Sequence, residues 1–289
     1  MAALLQVLAS GVGATKATQV VTRHSLREGR PPLRILLAED NLVNQMLASR
    51  ILENQGHSVV VAPDGVQALR TLEQQPFDLV LMDIQMPVMD GLTATKLIRA
   101  DERFRKLPIL AMTAHAMNGD CERSLNAGMN DHITKPIDPN RLTAALIRWM
   151  PELHTERSAS ILEPTNRTPQ EDGIPDQLPP FDIQSALART NGKTKLLRKL
   201  MLGFRDQYAS AGSELRELIV AGRVVDAERL AHSLKSVAAM LEARDLAEAA
   251  SAVECAFRLG ETEGRGSLID TLENVLATAI VAVNSLDVK

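Results

Sequence analysis

Between residues 33 and 149, short apolar runs alternate with stretches whose apolar positions recur every three or four residues. The runs at 33–38, 58–62, 79–83, 109–112 and 132–134 have the length and aliphatic content of buried strands. Between them, Val43, Met46, Leu47 and Ile51 fall on one helical face, as do Val66, Leu69 and Leu72, which predicts helices over 42–54 and 65–74. Further helices are predicted over 92–100, 118–127 and 139–149. Five strand–helix units in about 120 residues imply a parallel sheet covered on both faces, a five-stranded doubly wound, flavodoxin-like α/β domain.

Beyond Pro151 the alternation stops. Pro164, Pro169, Pro175, Pro179 and Pro180 stand among acidic and small polar residues, which predicts a flexible linker over 153–180 that lets its neighbours meet without fixing their orientation. From Phe181 the period is helical almost to the end, with helices predicted over 182–190, 193–207, 213–221, 224–241, 245–259 and 268–286. Gly192, Gly212, Gly222 and the stretch 260–266 are read as the breaks, and the result is an all-α antiparallel bundle over 181–289. Residues 1–32 hold a short apolar segment and then a polar, basic run closing at Pro31-Pro32. They read as a linker whose opening is either the tail of an upstream helix or a frayed terminus.

Composition narrows the partners. A chain of 289 residues has room for two domains, and no run reaches the roughly 18 consecutive apolar residues of a membrane span. With no basic n-region after Met1, a cytoplasmic protein without membrane contact is expected. A net charge of −4 with 2% aromatic residues offers neither the phosphate-neutralising surface nor the stacking platform of a nucleic-acid binder, so the expected partners are proteins. Cys121 and Cys255, far apart, read as reduced thiols on helices.

The candidate chemistry collects at one sheet edge. Asp83 ends the third strand where Pro87 and Gly91 begin a loop; alone it reads equally as a nucleophile, a metal ligand or a turn former. Glu39 and Asp40 end the first strand, which neighbours the third in a flavodoxin-like sheet, so three carboxylates should converge. Crowded acids repel unless a hard divalent cation lies among them, and oxygen ligation of modest number suits Mg2+. Helix capping by Asp40 or Asn41 is the competing explanation, and it leaves the second acid unexplained. Thr113 ends the fourth strand and Lys135-Pro136 follows the fifth, supplying a hydroxyl and an ammonium where a phosphoryl group in transfer needs a donor and a countercharge.

With these motifs in place, residues 33–152 resemble a two-component response-regulator receiver domain, in particular the receivers of hybrid sensor kinases. The likeness rests on Glu39-Asp40-Asn41, on the stretch from Met82 through Asp83, Gln85 and Pro87 to Gly91, on Thr113-Ala114 and on Lys135-Pro136-Ile137. It implies that Asp83 is the phosphoacceptor, that Asp40, Asp83 and the Gln85 backbone carbonyl bind Mg2+, that Glu39 holds a metal-bound water, and that Thr113 and Lys135 contact the phosphoryl group. It also implies a cis Lys135-Pro136 bond. His132 stands three residues before the lysine, where the family commonly has an aromatic switch residue, so a weak conformational readout is expected.

In the bundle, His232 lies off the apolar stripe of Ala227, Leu230, Leu234, Val237 and Leu241 and shares its face with Glu228, Arg229, Lys235, Ser236 and Ala239. An accessible, mostly neutral imidazole beside Lys235 is a nucleophile for phosphate, and an ordinary surface histidine is the alternative. Residues 181–289 resemble a histidine-containing phosphotransfer (HPt) domain through Phe181-Asp182, Phe204 and His232-x-x-Lys235, although the family's usual glycines are replaced by Ser236, Ala239 and Glu242. Together the two resemblances imply a phosphorelay. In it Asp83 accepts phosphate from the phosphohistidine of a donor kinase, and His232 passes it to the Asp of a downstream response regulator. No Gly-rich nucleotide loop follows a suitable strand, so the chain is not expected to phosphorylate itself from ATP; the run from Lys16 to Leu33 resembles the connector that precedes receivers in hybrid histidine kinases, which implies the C-terminal part of such a kinase. Two alternatives are a Mg2+-dependent phosphohydrolase with an Asp nucleophile, which would need a second acid where Gln85 stands, and a phosphate-independent docking scaffold.

Overall fold

The computed structural model describes residues 32–113, 118–150 and 174–288, with the side chains of 118–121 and of 288 excepted. Residues 1–31 of the linker expected over 1–32, the segment 151–173 and the Cys121 thiol lie outside the described residues.

Five strands, β1 (Arg34–Ala38), β2 (Ser58–Ala62), β3 (Leu79–Asp83), β4 (Ile109–Thr113) and β5 (Asp131–Thr134), form one sheet in the order β2-β1-β3-β4-β5. All pairings are parallel, with Ala38 beside Met82 and Asp83 beside Met112. β3 and β4 are buried along their whole length, as their unbroken apolar runs require when helices cover both faces. Those helices are α1 (Leu42–Asn54), α2 (Gly65–Gln74), α3 (Gly91–Ala100), α4 (Asn118–Asn126) and α5 (Pro139–Trp149). Each of the starts of α1, α2, α3 and α5 has an Asn or Asp side chain accepting from first-turn amides: Asn41, Asp64, Asp90 and Asp138. The Asn41 cap answers one of the two readings of the acid-acid-Asn motif: capping falls to the third residue, which leaves Glu39 and Asp40 for other work.

The second half is α-helical: α6 (Ile183–Arg189), α7 (Thr194–Tyr208), α8 (Ala211–Val220), α9 (Val224–Met240), α10 (Arg244–Arg258) and α11 (Arg265–Asn284). Two glycines expected to break helices do not: Gly212 lies in the first turn of α8 and Gly266 in the first turn of α11. At a helix start the amides have no intrahelical partner to lose, so glycine there costs little. The expected linker also ends sooner than Pro180. Leu178 is buried and pairs with Phe181 in a short bridge around a cis Pro179-Pro180 bond, and Phe181 stacks edge-on against Phe204. α11 with its following turn is long and apolar enough to cross a membrane by length and composition alone, but Ile269, Leu272, Leu276, Ala279 and Val283 are spent on the bundle core.

The two halves, expected to meet across the linker, pack together. One apolar cluster runs from Leu37, Val43 and Leu47 of the sheet domain into Leu200, Phe204 and Leu234 of the bundle, and α1 lies against α7.

Candidate functional site

β1 and β3 are neighbours, so the chain leaves both at the same sheet edge and brings the acids together. Glu39, Asp40 and Asp83 each offer a carboxylate oxygen within 4.8 Å of the other two. Glu39 and Asp83 are buried, and the ammonium of Lys135, the residue directly after β5, lies 2.6 Å from Glu39 Oε2 and 2.5 Å from Asp83 Oδ2; the Lys135-Pro136 bond is cis, as the resemblance implies. Thr113, also buried, ends β4 one step past the partner of Asp83, and the Gln85 amide donates to Asp83 Oδ1 at 3.2 Å.

The electrostatics follow from three acids against one lysine. Burial, then the Glu39 charge, pushes Asp40 up to about 6. Burial also raises Asp83, with Glu39 and Asp40 adding to it and Lys135 opposing. Burial pulls Lys135 down, but Asp83 and Glu39 outweigh it and hold the ammonium above its ordinary value. One lysine leaves an excess of negative charge when all three acids ionise, and hard oxygen donors so disposed fit a divalent cation of the Mg2+ type.

The bundle contributes the opposite wall. Asp83, Gln85 and Thr113 share a cavity of about 520 Å3 with Arg229, His232, Glu254 and Arg258. Here the sequence expectation of an accessible ring is corrected: His232 is 6% exposed. It lies off the bundle's apolar stripe, as its spacing requires, yet the sheet domain covers that face. His232 Nδ1 is 2.8 Å from Glu254 Oε1, and Lys235 Nζ is 2.6 Å from Glu254 Oε2. Burial lowers the His232 pKa, the Glu254 carboxylate opposes, and Lys135 and Lys235 lower it further. Burial raises Glu254, but its hydrogen bonds from His232 and Lys235 outweigh this and bring it down to about 2. An ionised carboxylate only accepts, so Nδ1 carries the proton and Nε2 keeps a free lone pair.

Glu254 was missed in the sequence. The signal was available: an acid one turn after Ala250 and beside Val253 in α10, on the face that α9 covers, needs a partner to stay there. His132, by contrast, is exposed at β5, and none of the described contacts joins it to the acid cluster.

Comparison with known proteins adds the family. Residues 35–147 match the model of the response regulator receiver domain and residues 199–282 that of the Hpt domain. The chain is 34% identical over 199 residues to the signal transduction histidine-protein kinase BarA of Escherichia coli K12, covering 67% of this chain and 20% of that protein. It is 44% identical over 127 residues to the sensor protein GacS of Pseudomonas syringae pv. syringae, covering 41% of this chain and 14% of that protein. The chain thus spans about a fifth or less of the length of these relatives. Among solved structures it is similar to the receiver domain of a sensor histidine kinase from Pseudomonas aeruginosa PAO1, crystallised with a magnesium ion coordinated in its active-site cleft. That likeness has 45% identity and a TM-score of 0.40, and covers 42% of this chain and 99% of that one.

Proposed function

Because the chain is a response-regulator receiver domain followed by an Hpt domain, a phosphorelay pair of the kind found in hybrid histidine kinases, we propose that it moves a phosphoryl group through Asp83 and His232 in turn. Asp83 takes the group from the phosphohistidine of a donor kinase domain, and His232 hands it to the Asp of a downstream receiver, on the cytoplasmic side of the cell. The observation that carries this reading is the shared cavity: an aspartate and a histidine from different domains line the same space, with cations from both around them.

The residues divide the work by chemistry. Bound by Asp40, Asp83 and the Gln85 carbonyl, with Glu39 holding a water, Mg2+ would supply charge neutralisation for the phosphoryl oxygens. In the transfer from Asp83, the P–O bond to the carboxylate breaks as a P–N bond forms at His232 Nε2. Nε2 needs to lose no proton, because the ring proton is on Nδ1 and held by Glu254. The departing Asp83 carboxylate regains its charge beside Lys135. Thr113 donates toward the group on the receiver side, and Lys235 is the bundle's countercharge beside His232.

The test supplies a radiolabelled, phosphorylated donor kinase domain with Mg2+ and follows the chemical form of the label. The native chain should carry it first as a base-labile acyl phosphate and then as an acid-labile phosphohistidine. Asp83→Ala should abolish both, and His232→Ala should leave the acyl phosphate alone. Label that stays on the receiver of the native chain and never reaches His232 would refute the relay.

A further inference from the structure

The surface that joins the two domains is built from a few side chains just past the acid pair. Asn41 Oδ1 accepts from the Val43 and Asn44 amides, which leaves Asn41 Nδ2 to donate to the Tyr208 hydroxyl of α7. Both partners are buried, and burial, with Asp40 and Glu39 nearby, holds the phenol neutral. Asn44 Nδ2 donates at 2.8 Å to Glu39 Oε1 and at 3.3 Å to Ser236 Oγ, so one amide belongs to the acid cluster and to the interface at once. Between these polar pairs, Met46 and Val43 rest on Gly203, where a Cβ would come within 3.0 Å of Met46 Cε. Glycine inside a helix lowers helix stability relative to alanine, and here its absent side chain is what lets α1 approach. Ser236, which meets Asn44, and His232 on the same helix are both buried.

We propose that Tyr208, Ser236 and the bare surface at Gly203 select the chain's own receiver, and that this internal docking excludes a second receiver from His232. The inference rests on the relay reading for its purpose, while its geometry is independent of it. A receiver with an apolar side chain in place of Asn41 leaves a buried phenol unpaired, and one with a branched side chain in place of Met46 loses the fit to Gly203. Outgoing transfer then requires the internal receiver to leave first, because the incoming aspartate must reach the nitrogen that the internal one covers.

The experiment has two arms, both on the full chain. In the first, diethyl pyrocarbonate modification of His232 is timed without any phosphate present. Asn41→Leu should accelerate it severalfold; because Asn41 also caps α1, Gly203→Leu, which obstructs Met46 while favouring the helix, is the second variant and should do the same. Unchanged modification in both overturns the inference. In the second arm, an Asp83→Ala chain is loaded on His232 with phosphoramidate and mixed with a His232→Ala chain as acceptor. Adding Asn41→Leu to the loaded chain should raise transfer severalfold by uncovering His232; adding Tyr208→Leu on top of Asn41→Leu, where the internal docking is already broken, should lower it again tenfold or more, since the acceptor's Asn41 then has no partner. An unchanged rate in either variant overturns the inference. Complete absence of transfer in every mixture counts against the relay itself, and the first arm still decides the docking.

Discussion

The chemistry of the bundle turns on one hydrogen bond. Glu254 fixes which imidazole nitrogen is protonated, and it does so from 1% exposure. Glu254→Ala should slow transfer from Asp83 to His232 by on the order of 10- to 100-fold, measured in a single turnover by rapid quench. Glu254→Gln, which still accepts from Nδ1–H, should keep most of the rate. The pH dependence separates the charge from the hydrogen bond. Burial, Lys135 and Lys235 lower the His232 pKa and Glu254 raises it, so neutral imidazole persists as pH falls past 6.5, where a free ring would be half protonated. The His232-dependent part of the native rate should therefore hold below pH 6.5 and drop as pH falls through the lowered value, any loss near pH 6 from protonation of Asp40 being common to both proteins; in Glu254→Gln, which loses the raising charge, the His232 drop should move to still lower pH. A midpoint that rises in Glu254→Gln would contradict the assignment. Asp83, Thr113, Lys135 and His232 could be picked out from local sequence because each stands at a strand end or off an apolar stripe. Glu254 shows in the sequence only as an acid on the apolar face of its helix, and its role does not show, because its partner lies 22 positions away on another helix.

At the level of elements, the loops that aim the acids tolerate no added bulk. Gly91 opens α3 against the backbone of Asp83, and a Cβ there would come within 2.0 Å of the Asp83 carbonyl oxygen and 2.9 Å of Met82 Cγ. Gly91 N also donates to Ile84 O at 3.0 Å, tying the helix start to the residue after the acid. Gly91→Ala must therefore displace either α3 or the end of β3. It should destabilise the receiver by about 1–3 kcal/mol, read by urea unfolding, and lower the rate at which Asp83 takes label from a phosphorylated donor, read at a temperature where the variant is fully folded. Loss of stability with an unchanged loading rate would mean that α3 alone moves and Asp83 is not held by this contact. The strands were readable almost to the residue: 58–62 and 79–83 match β2 and β3, and β1 starts one residue later than expected. Buried parallel strands are continuous apolar runs, and their ends are punctuated by Asp, Asn and Pro. Glycine was the poorer guide. Gly212 and Gly266 sit inside first turns, while Glu242, where the resemblance anticipates glycine, adopts φ 58° between α9 and α10 with its carboxylate 2.6 Å from Arg189 Nε. A backbone conformation can thus persist where its usual residue is absent, because a neighbouring contact holds it.

For the whole molecule, the unreadable property was the association of the two halves. Sequence patterning reports the faces a helix buries against its own domain, and His232 is covered by the other one; no periodicity encodes that. Linear connection through residues 151–173 makes the encounter of Asp83 with His232 a reaction within one chain. A tether of this length confers an effective concentration on the order of millimolar, far above the concentration of the protein in an assay. The transfer rate from Asp83 to His232 should therefore be independent of protein concentration from about 1 to 100 μM. Introducing a protease site between 158 and 170 and cleaving the folded protein should turn the step into a second-order reaction, slowed in proportion to dilution, with the original rate regained only as the halves approach millimolar concentration. Apolar packing such as Met46 on Gly203 and the buried pair of Asn41 with Tyr208 would hold some cleaved halves together, so the fraction that still transfers at the undiluted rate measures the affinity of the interface itself. Were the intact chain's rate to rise with concentration, the reacting Asp83 and His232 would belong to different molecules, and the contact between the domains would be one of exchange between copies rather than within one.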